Sequence, residues 1–162
     1  MTQIPVFSFV AYSGTGKTTY LQTLVACLCR LGVTVGVLKH DGHDFTPDTE
    51  GKDTDRLSRA GAVVTAISSD RKTMWLDTRP RTPQQLLVGF QDVDLVLTEG
   101  YKHGPWRKIG VYRAASGKPL AASDCVAVVT DTWLDVPCPQ FPLDDPEPMA
   151  LWLCQNLRRS FL

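Results

Sequence analysis

Apolar and polar positions switch between two periods along this chain, and the switches mark its elements. Ile4 to Val10 is an almost unbroken apolar run with Pro5 near its start and a glycine-rich segment after it, the pattern of a strand buried on both faces. Leu21, Leu24, Val25, Leu28 and Leu31 then recur at the spacing of an amphipathic helix, and Gly32 stands where such a helix stops. Val33 to Leu38 returns to β-rich composition, so the chain opens as strand, helix and parallel strand.

From His40 to Lys52 the composition turns polar over thirteen residues, longer than an ordinary connection and of the kind that works or moves. Lys52 to Ala60 predicts a short helix closed by Gly61. Val63 to Ser68 and Thr73 to Asp77 predict a hairpin around the charged turn Asp70-Arg71-Lys72. Thr82 to Phe90 predicts a helix with Thr82 as its N-cap and Pro83 at its first position. Val93 to Thr98 is the next apolar strand, followed by Glu99-Gly100. Lys108 to Tyr112 and Cys125 to Val129 are further strands, with a flexible stretch from Ala114 to Ser123 between them. Prolines crowd the segment from Pro137 to Pro148, which predicts extended, irregular chain before a terminal helix that opens at Asp145-Pro146 and buries Met149, Trp152, Leu153 and Leu157. Strands alternating with helices predict a three-layer α/β fold with a mostly parallel sheet plus a β-hairpin excursion. The length of 162 residues, with no internal repeat, predicts a single domain over residues 1–162.

Charge narrows the partners. Seventeen basic and seventeen acidic side chains cancel, which leaves no global positive field to draw the protein to nucleic acid or an anionic membrane. The first apolar run is too short to span a bilayer and has no basic segment before it, so a cytoplasmic protein is expected. Cys27, Cys29, Cys125, Cys138 and Cys154 make an odd set without a Cys-x-x-Cys pair, read as reduced and mostly buried.

The densest chemistry lies between the first strand and the first helix, in Ala11-Tyr12-Ser13-Gly14-Thr15-Gly16-Lys17-Thr18-Thr19. Phosphate binding needs backbone N–H groups turned toward one point, and residues free of bulky Cβ groups let the main chain wrap an anion closely. Gly14, Thr15 and Gly16 supply that freedom, the helix start adds its positive dipole end, Lys17 reaches the outer phosphates, and the Thr18 hydroxyl becomes a magnesium ligand. Ser13 and Thr19 complete the cradle. The pattern is G-x-x-x-x-G-K-[ST] with Ala11 in place of the first glycine, still a small residue where the strand turns. The ligand expected is the triphosphate of GTP or ATP with Mg2+.

Such a site needs a carboxylate at the end of a neighbouring strand, and Glu99 fits, with Gly100 letting the next N–H approach the γ-phosphate. Asp94 begins the same strand and belongs at the opposite edge of the sheet. His40 and His43, with Asp41 and Asp44, follow the second strand at the ligand edge. A lone His-x-x-His is a weak zinc signal, and contact with substrate or phosphate is the stronger reading, with a plain polar loop as the other. Lys39 is a second cation near the phosphates, and Lys52 and Asp53 stand beyond the loop. Asp131, after the strand from Cys125, is the candidate that accepts from the N1–H and amino group of a guanine.

The blocks Leu38-Lys39-His40 with His43-Asp44, Gly51-Lys52-Asp53-Thr54, Ala60-Gly61-Ala62 and Glu99-Gly100-Tyr101-Lys102-His103 together resemble the molybdopterin-guanine dinucleotide biosynthesis adaptor family, MobB, in order and spacing over roughly residues 4–131. The resemblance implies a P-loop GTP-binding protein, dimeric, with slow GTPase activity. Its implied partner is the guanylyltransferase that joins GMP to the molybdenum-bound pterin, with molybdopterin a further candidate ligand. On that resemblance Gly14, Gly16, Lys17, Thr18 and Thr19 hold phosphates, Glu99 helps place magnesium, and His40 and Asp53 are family-motif residues. The hairpin around Arg71 and Lys72 is then a candidate dimer element. The alternative is a P-loop small-molecule kinase or ligase using ATP or GTP, with Arg71, Arg79 and Arg81 in a lid. Lys17 and Lys39 would supply its cations, but no residue presents itself to orient a nucleophile, which favours the adaptor.

Overall fold

The computed structural model describes residues 4–159. They form two compact units, one made of residues up to His40 together with those from Phe90 onward, the other of Asp41 to Gly89. In the first unit β1 (Val6–Val10) leads into α1 (Lys17–Arg30) and β2 (Val35–Lys39). After the second unit the chain continues through β5 (Leu95–Glu99), β6 (Arg107–Tyr112), β7 (Cys125–Thr130), β8 (Gln140–Pro142) and α4 (Glu147–Arg159). The second unit holds α2 (Asp53–Arg59), β3 (Val64–Ser68), β4 (Thr73–Asp77) and α3 (Pro83–Leu87).

The main sheet has the order β2-β5-β1-β6-β7-β8, and all its pairings are parallel. Parallel neighbours cannot be joined by a tight turn. The crossover from β2 to β5 is supplied by the whole second unit, which is inserted between them. One face of the sheet presents Phe7, Phe9, Leu95, Leu97, Ile109, Val111, Ala127 and Val129 to α1 and α4, which contribute Tyr20, Leu21, Leu24, Leu28, Met149 and Leu153 to the same core. The opposite face is also closed. There Val96 and Val128 are inaccessible to solvent, and the Leu120 side chain from the β6–β7 connection lies against Gly110. The buried hydroxyls of Ser8 and Thr98 satisfy each other on this face at 2.6 Å.

The sequence pattern locates these elements, with four corrections. The proline-rich segment is not wholly irregular, because Gln140–Pro142 adds β8 as an edge strand in parallel register with Val128–Thr130. An edge position is where a strand tolerates proline, since one side of its backbone goes unpaired. Leu31 is exposed at the end of α1, outside its buried stripe. Only Cys27 of the five cysteines is buried, Cys29 is exposed, and the other three are half-buried. Trp152 is half-buried too, and packs its ring edge-on against Phe7.

In the second unit β3 and β4 form a two-stranded antiparallel hairpin. Thr82 caps α3 through a reciprocal pair of bonds with Gln85, as Thr82-Pro83 at a helix start predicts.

Candidate functional site

The segment from Ala11 to Gly16 turns from the carboxyl end of β1 into α1, at the edge of a parallel sheet where ligands collect. Gly14 and Gly16 take φ of +85° and +86°, a region that side chains disfavour, so the two glycines are required by the backbone path. Gly16 is also the N-cap of α1, with no side chain capping it. The first amides of the helix are therefore left for another acceptor. Lys17 opens the helix at its positive dipole end, an unfavourable place for a cation unless an anion sits beside it.

That anion is Glu99. It closes β5 in register with Lys39 of β2 and Phe9 of β1. Its Oε1 accepts from Thr18 Oγ1 at 2.6 Å and from Lys17 Nζ at 3.1 Å. Glu99 is only 8% exposed, so burial works against its charge, but the hydrogen bonds from Thr18 and Lys17 and the charges of Lys17 and Lys39 outweigh this and hold its carboxyl below the usual range. A hydroxyl and an ionised carboxylate oxygen thus converge on one point beside the loop, a donor set suited to a hard cation such as Mg2+, which completes its shell with water and phosphate oxygens. Among the described residues no group of three or more His, Cys, Asp and Glu is placed to hold a metal by itself.

Gly100 follows at φ +98°, and a Cβ there would lie 2.6 Å from the His40 carbonyl oxygen. The backbones of β2 and β5 meet at this point, where His40 N–H also donates to the Glu99 carbonyl. Strand-end packing alone therefore requires this glycine. The His40 ring rests on Tyr101 at 5.2 Å, and Tyr101 meets Trp106 edge-on. The short connection from Gly100 to Trp106 joins β5 to β6 across β1, and it sets Lys102 Nζ 4.7 Å from the centre of the Tyr12 ring.

At the ends of β6, β7 and β8 a cavity of about 280 Å3 is lined by Arg113, Thr130, Asp131, Pro142, Leu143 and Asp144. Asp131 is exposed, and its Oδ1 accepts from Ala114 N–H at 2.8 Å. Arg113 ties this cavity to the loop, because its Nε donates to the Thr15 carbonyl at 3.1 Å. Lys118 Nζ donates to the Ser13 carbonyl at 2.7 Å.

The first unit holds Ser13, Gly14, Thr15, Gly16, Lys17, Thr18, Thr19, Lys39, His40, Glu99, Gly100 and Asp131, and of these Lys17 and Thr18 bond directly to Glu99. His43 and Asp53 lie in the second unit, His43 in its opening loop and Asp53 as the first residue of α2. Sequence reading passed over Arg113 and Lys118, and met Lys102 only as part of the Glu99–His103 block. Arg113 follows directly on β6 at the ligand edge, and a cation at that position was the available signal.

Comparison with known proteins bears on the whole chain. The family model for molybdopterin guanine dinucleotide synthesis protein B, MobB, matches residues 6–131. The molybdopterin-guanine dinucleotide biosynthesis adapter protein of Escherichia coli is 35% identical, with 98% of this chain and 97% of that protein aligned. Its counterpart in Haemophilus influenzae is 36% identical over 83% and 79%. Among solved structures, Bacillus subtilis MobB superposes with a TM-score of 0.75 at 28% identity, covering 93% of this chain and 97% of that one. Fold, strand-end motifs and sequence agree, and the chain belongs to the MobB family.

Proposed function

We propose that this protein is a GTP-binding adapter in molybdopterin-guanine dinucleotide biosynthesis, which assists the guanylyltransferase of that pathway and hydrolyses GTP slowly. The adapter role follows the names of its relatives in Escherichia coli and Haemophilus influenzae. The observation that carries the nucleotide reading is the meeting of Thr18, Lys17 and Glu99 within 3.1 Å at the start of α1. Lys17 would transfer its contact from Glu99 to the outer phosphates. Thr18 and Glu99 would hold Mg2+ directly or through its water.

The base fits the cavity beside Asp131. Leu143 and Pro142 give it an apolar wall, and the Asp131 oxygen not committed to Ala114 faces no donor among the described hydrogen bonds. A carboxylate there accepts from the N1–H and amino group of guanine, whereas adenine presents a lone pair at N1 and is repelled. On this reading GTP is preferred over ATP, and Gly100 lies next to the terminal phosphate.

The alternative, a P-loop kinase or ligase, draws less support. Arg79 and Arg81, two of its three lid candidates, both direct their guanidinium groups at Asp77. The sequence offers no clear residue to orient an acceptor. Hydrolysis secondary to binding suits an adapter. A homodimer through the β3–β4 hairpin completes the proposal, since this two-stranded ribbon exposes Ile67 and Trp75.

Incubation with labelled GTP or ATP, Mg2+ and a pterin acceptor separates the readings. The adapter binds GTP, releases phosphate slowly and leaves the pterin acceptor unlabelled. Rapid transfer of label to the acceptor would establish the kinase instead.

A further inference from the structure

A phosphate cradle works only when successive backbone N–H groups point to one place. In a planar trans peptide the carbonyl and the next residue's N–H point in opposite directions, so holding a carbonyl aims the amide that follows it. Three carbonyls of the loop are held in this way. The Tyr12 carbonyl accepts from Thr15 Oγ1 at 3.0 Å, which aims the amide of Ser13 from within the loop. The Ser13 carbonyl accepts from Lys118, which aims the amide of Gly14. The Thr15 carbonyl accepts from Arg113, which aims the amide of Gly16. The two external donors come from 105 and 98 residues along the chain. They act at the two residues with the least intrinsic backbone restraint.

The segment that presents them is itself tied down. It runs from the end of β6 through a 3-10 turn at Ala114–Ser116 to a left-handed Gly117. Ala114 N–H is held by Asp131 at the end of β7, and the Ser116 hydroxyl donates to the Arg113 carbonyl at 2.7 Å. The Arg113 guanidinium lies along Gly16, with one terminal nitrogen 3.1 Å from where a Cβ would stand.

We propose that Arg113 and Lys118 are positioning residues of the phosphate loop, which set the amides of Gly14 and Gly16 before any phosphate arrives. The proposal rests on the reading of residues 13–19 as a phosphate cradle. It differs from a direct contact in one measurable respect. A residue that aims backbone amides supports every ligand that carries two linked phosphates, with or without a base or a third phosphate. A cation that touches the terminal phosphate supports only the triphosphate.

The test titrates inorganic pyrophosphate, GDP and GTP, each with Mg2+, into the wild type and into Arg113→Ala, Arg113→Lys and Lys118→Ala, and records the ligand-free amide resonances of Gly14 and Gly16. Each alanine variant is expected to lose about tenfold in affinity for all three ligands alike. Arg113→Lys, which keeps a cationic donor, loses less and serves as the measure if Arg113→Ala does not fold. The Gly16 resonance moves in the Arg113 variants and the Gly14 resonance in Lys118→Ala, before any ligand is added. Losses confined to GTP, or unchanged affinities with unmoved resonances, overturn the proposal. If the wild type binds none of the three ligands, the cradle reading has failed, and the glycine resonances alone then decide whether the two cations hold the loop.

Discussion

The two units of this chain differ most in what they bury. Every residue of β5 is buried, and it pairs with β1, which leads into the loop from Ala11 to Gly16. Between Asp41 and Gly89 not one residue is buried. The same contrast appears in their charges. The side chains of Lys17 and Glu99 are 16% and 10% exposed, while Arg79, paired with Asp77 in the second unit, is 50% exposed. Asp77 itself is only 14% exposed, so it is the open arginine end that lets solvent screen this pair more than the first. The lesson is that the first unit is preorganised around a fixed set of charges. The second displays a surface, and a two-stranded hairpin with so little buried gains from being covered.

The largest effect expected from breaking this contrast is at Lys17. Lys17→Ala removes the cation aimed at the outer phosphates and lowers triphosphate affinity by about a hundredfold in a calorimetric titration, as loss of a charge-assisted contact in a sheltered site should. An affinity equal to the wild type would remove the loop from the nucleotide site.

Glu99 comes next. Glu99→Gln keeps the shape and an acceptor for Thr18 but loses the charge, and the gain in GTP affinity that Mg2+ confers is expected to shrink about tenfold. A full magnesium dependence in the variant would place the metal elsewhere. The same variant sharpens the contrast through pH. The carboxyl of Glu99 is held below its unfolded value. Its contribution to stability is therefore complete above the ordinary glutamate range and is lost as pH falls through the lowered folded value. Denaturant midpoints of wild type and Glu99→Gln should differ at neutral pH and converge in acid. A gap that persists at low pH would mean the ionised carboxylate contributes nothing.

What the sequence made legible follows from the range of the interactions. Ser13 to Thr18 are neighbours in the chain, and their glycines, lysine and hydroxyl declare the cradle locally. Glu99 was legible because an apolar run ending in a carboxylate and a glycine places itself at the ligand edge of a parallel sheet. The Thr82 cap was equally local. For Arg113 the only local signal was a cation directly after β6, and Lys118 had none, since what both do lies in carbonyls 98 and 105 residues away. The edge strand β8 escaped because proline-rich composition argues against a strand, and only its position beside β7 overrides that. Gly100 follows β5 as the sequence order requires, but its close contact with His40 belongs to a strand pairing that composition does not reveal.

The smallest expected effect on the nucleotide is the most informative about the contrast itself. Ile67 is 52% exposed on β3 and Trp75 is 70% exposed on β4. Their register puts them on opposite faces of the hairpin, since Trp75 pairs with Ala66 and Ile67 with Met74. Apolar side chains exposed on both faces of a ribbon whose outer edges are unpaired are what a second copy would cover. Ile67→Ser with Trp75→Ser is expected to shift the sedimenting species from dimer to monomer, while GTP affinity changes by less than about twofold, because the residues assigned to the nucleotide lie in the other unit. An unchanged mass would take the hairpin out of the dimer. A monomer that had also lost GTP would show that the two units do not work separately, and that covering the second unit is part of how the first is held in shape.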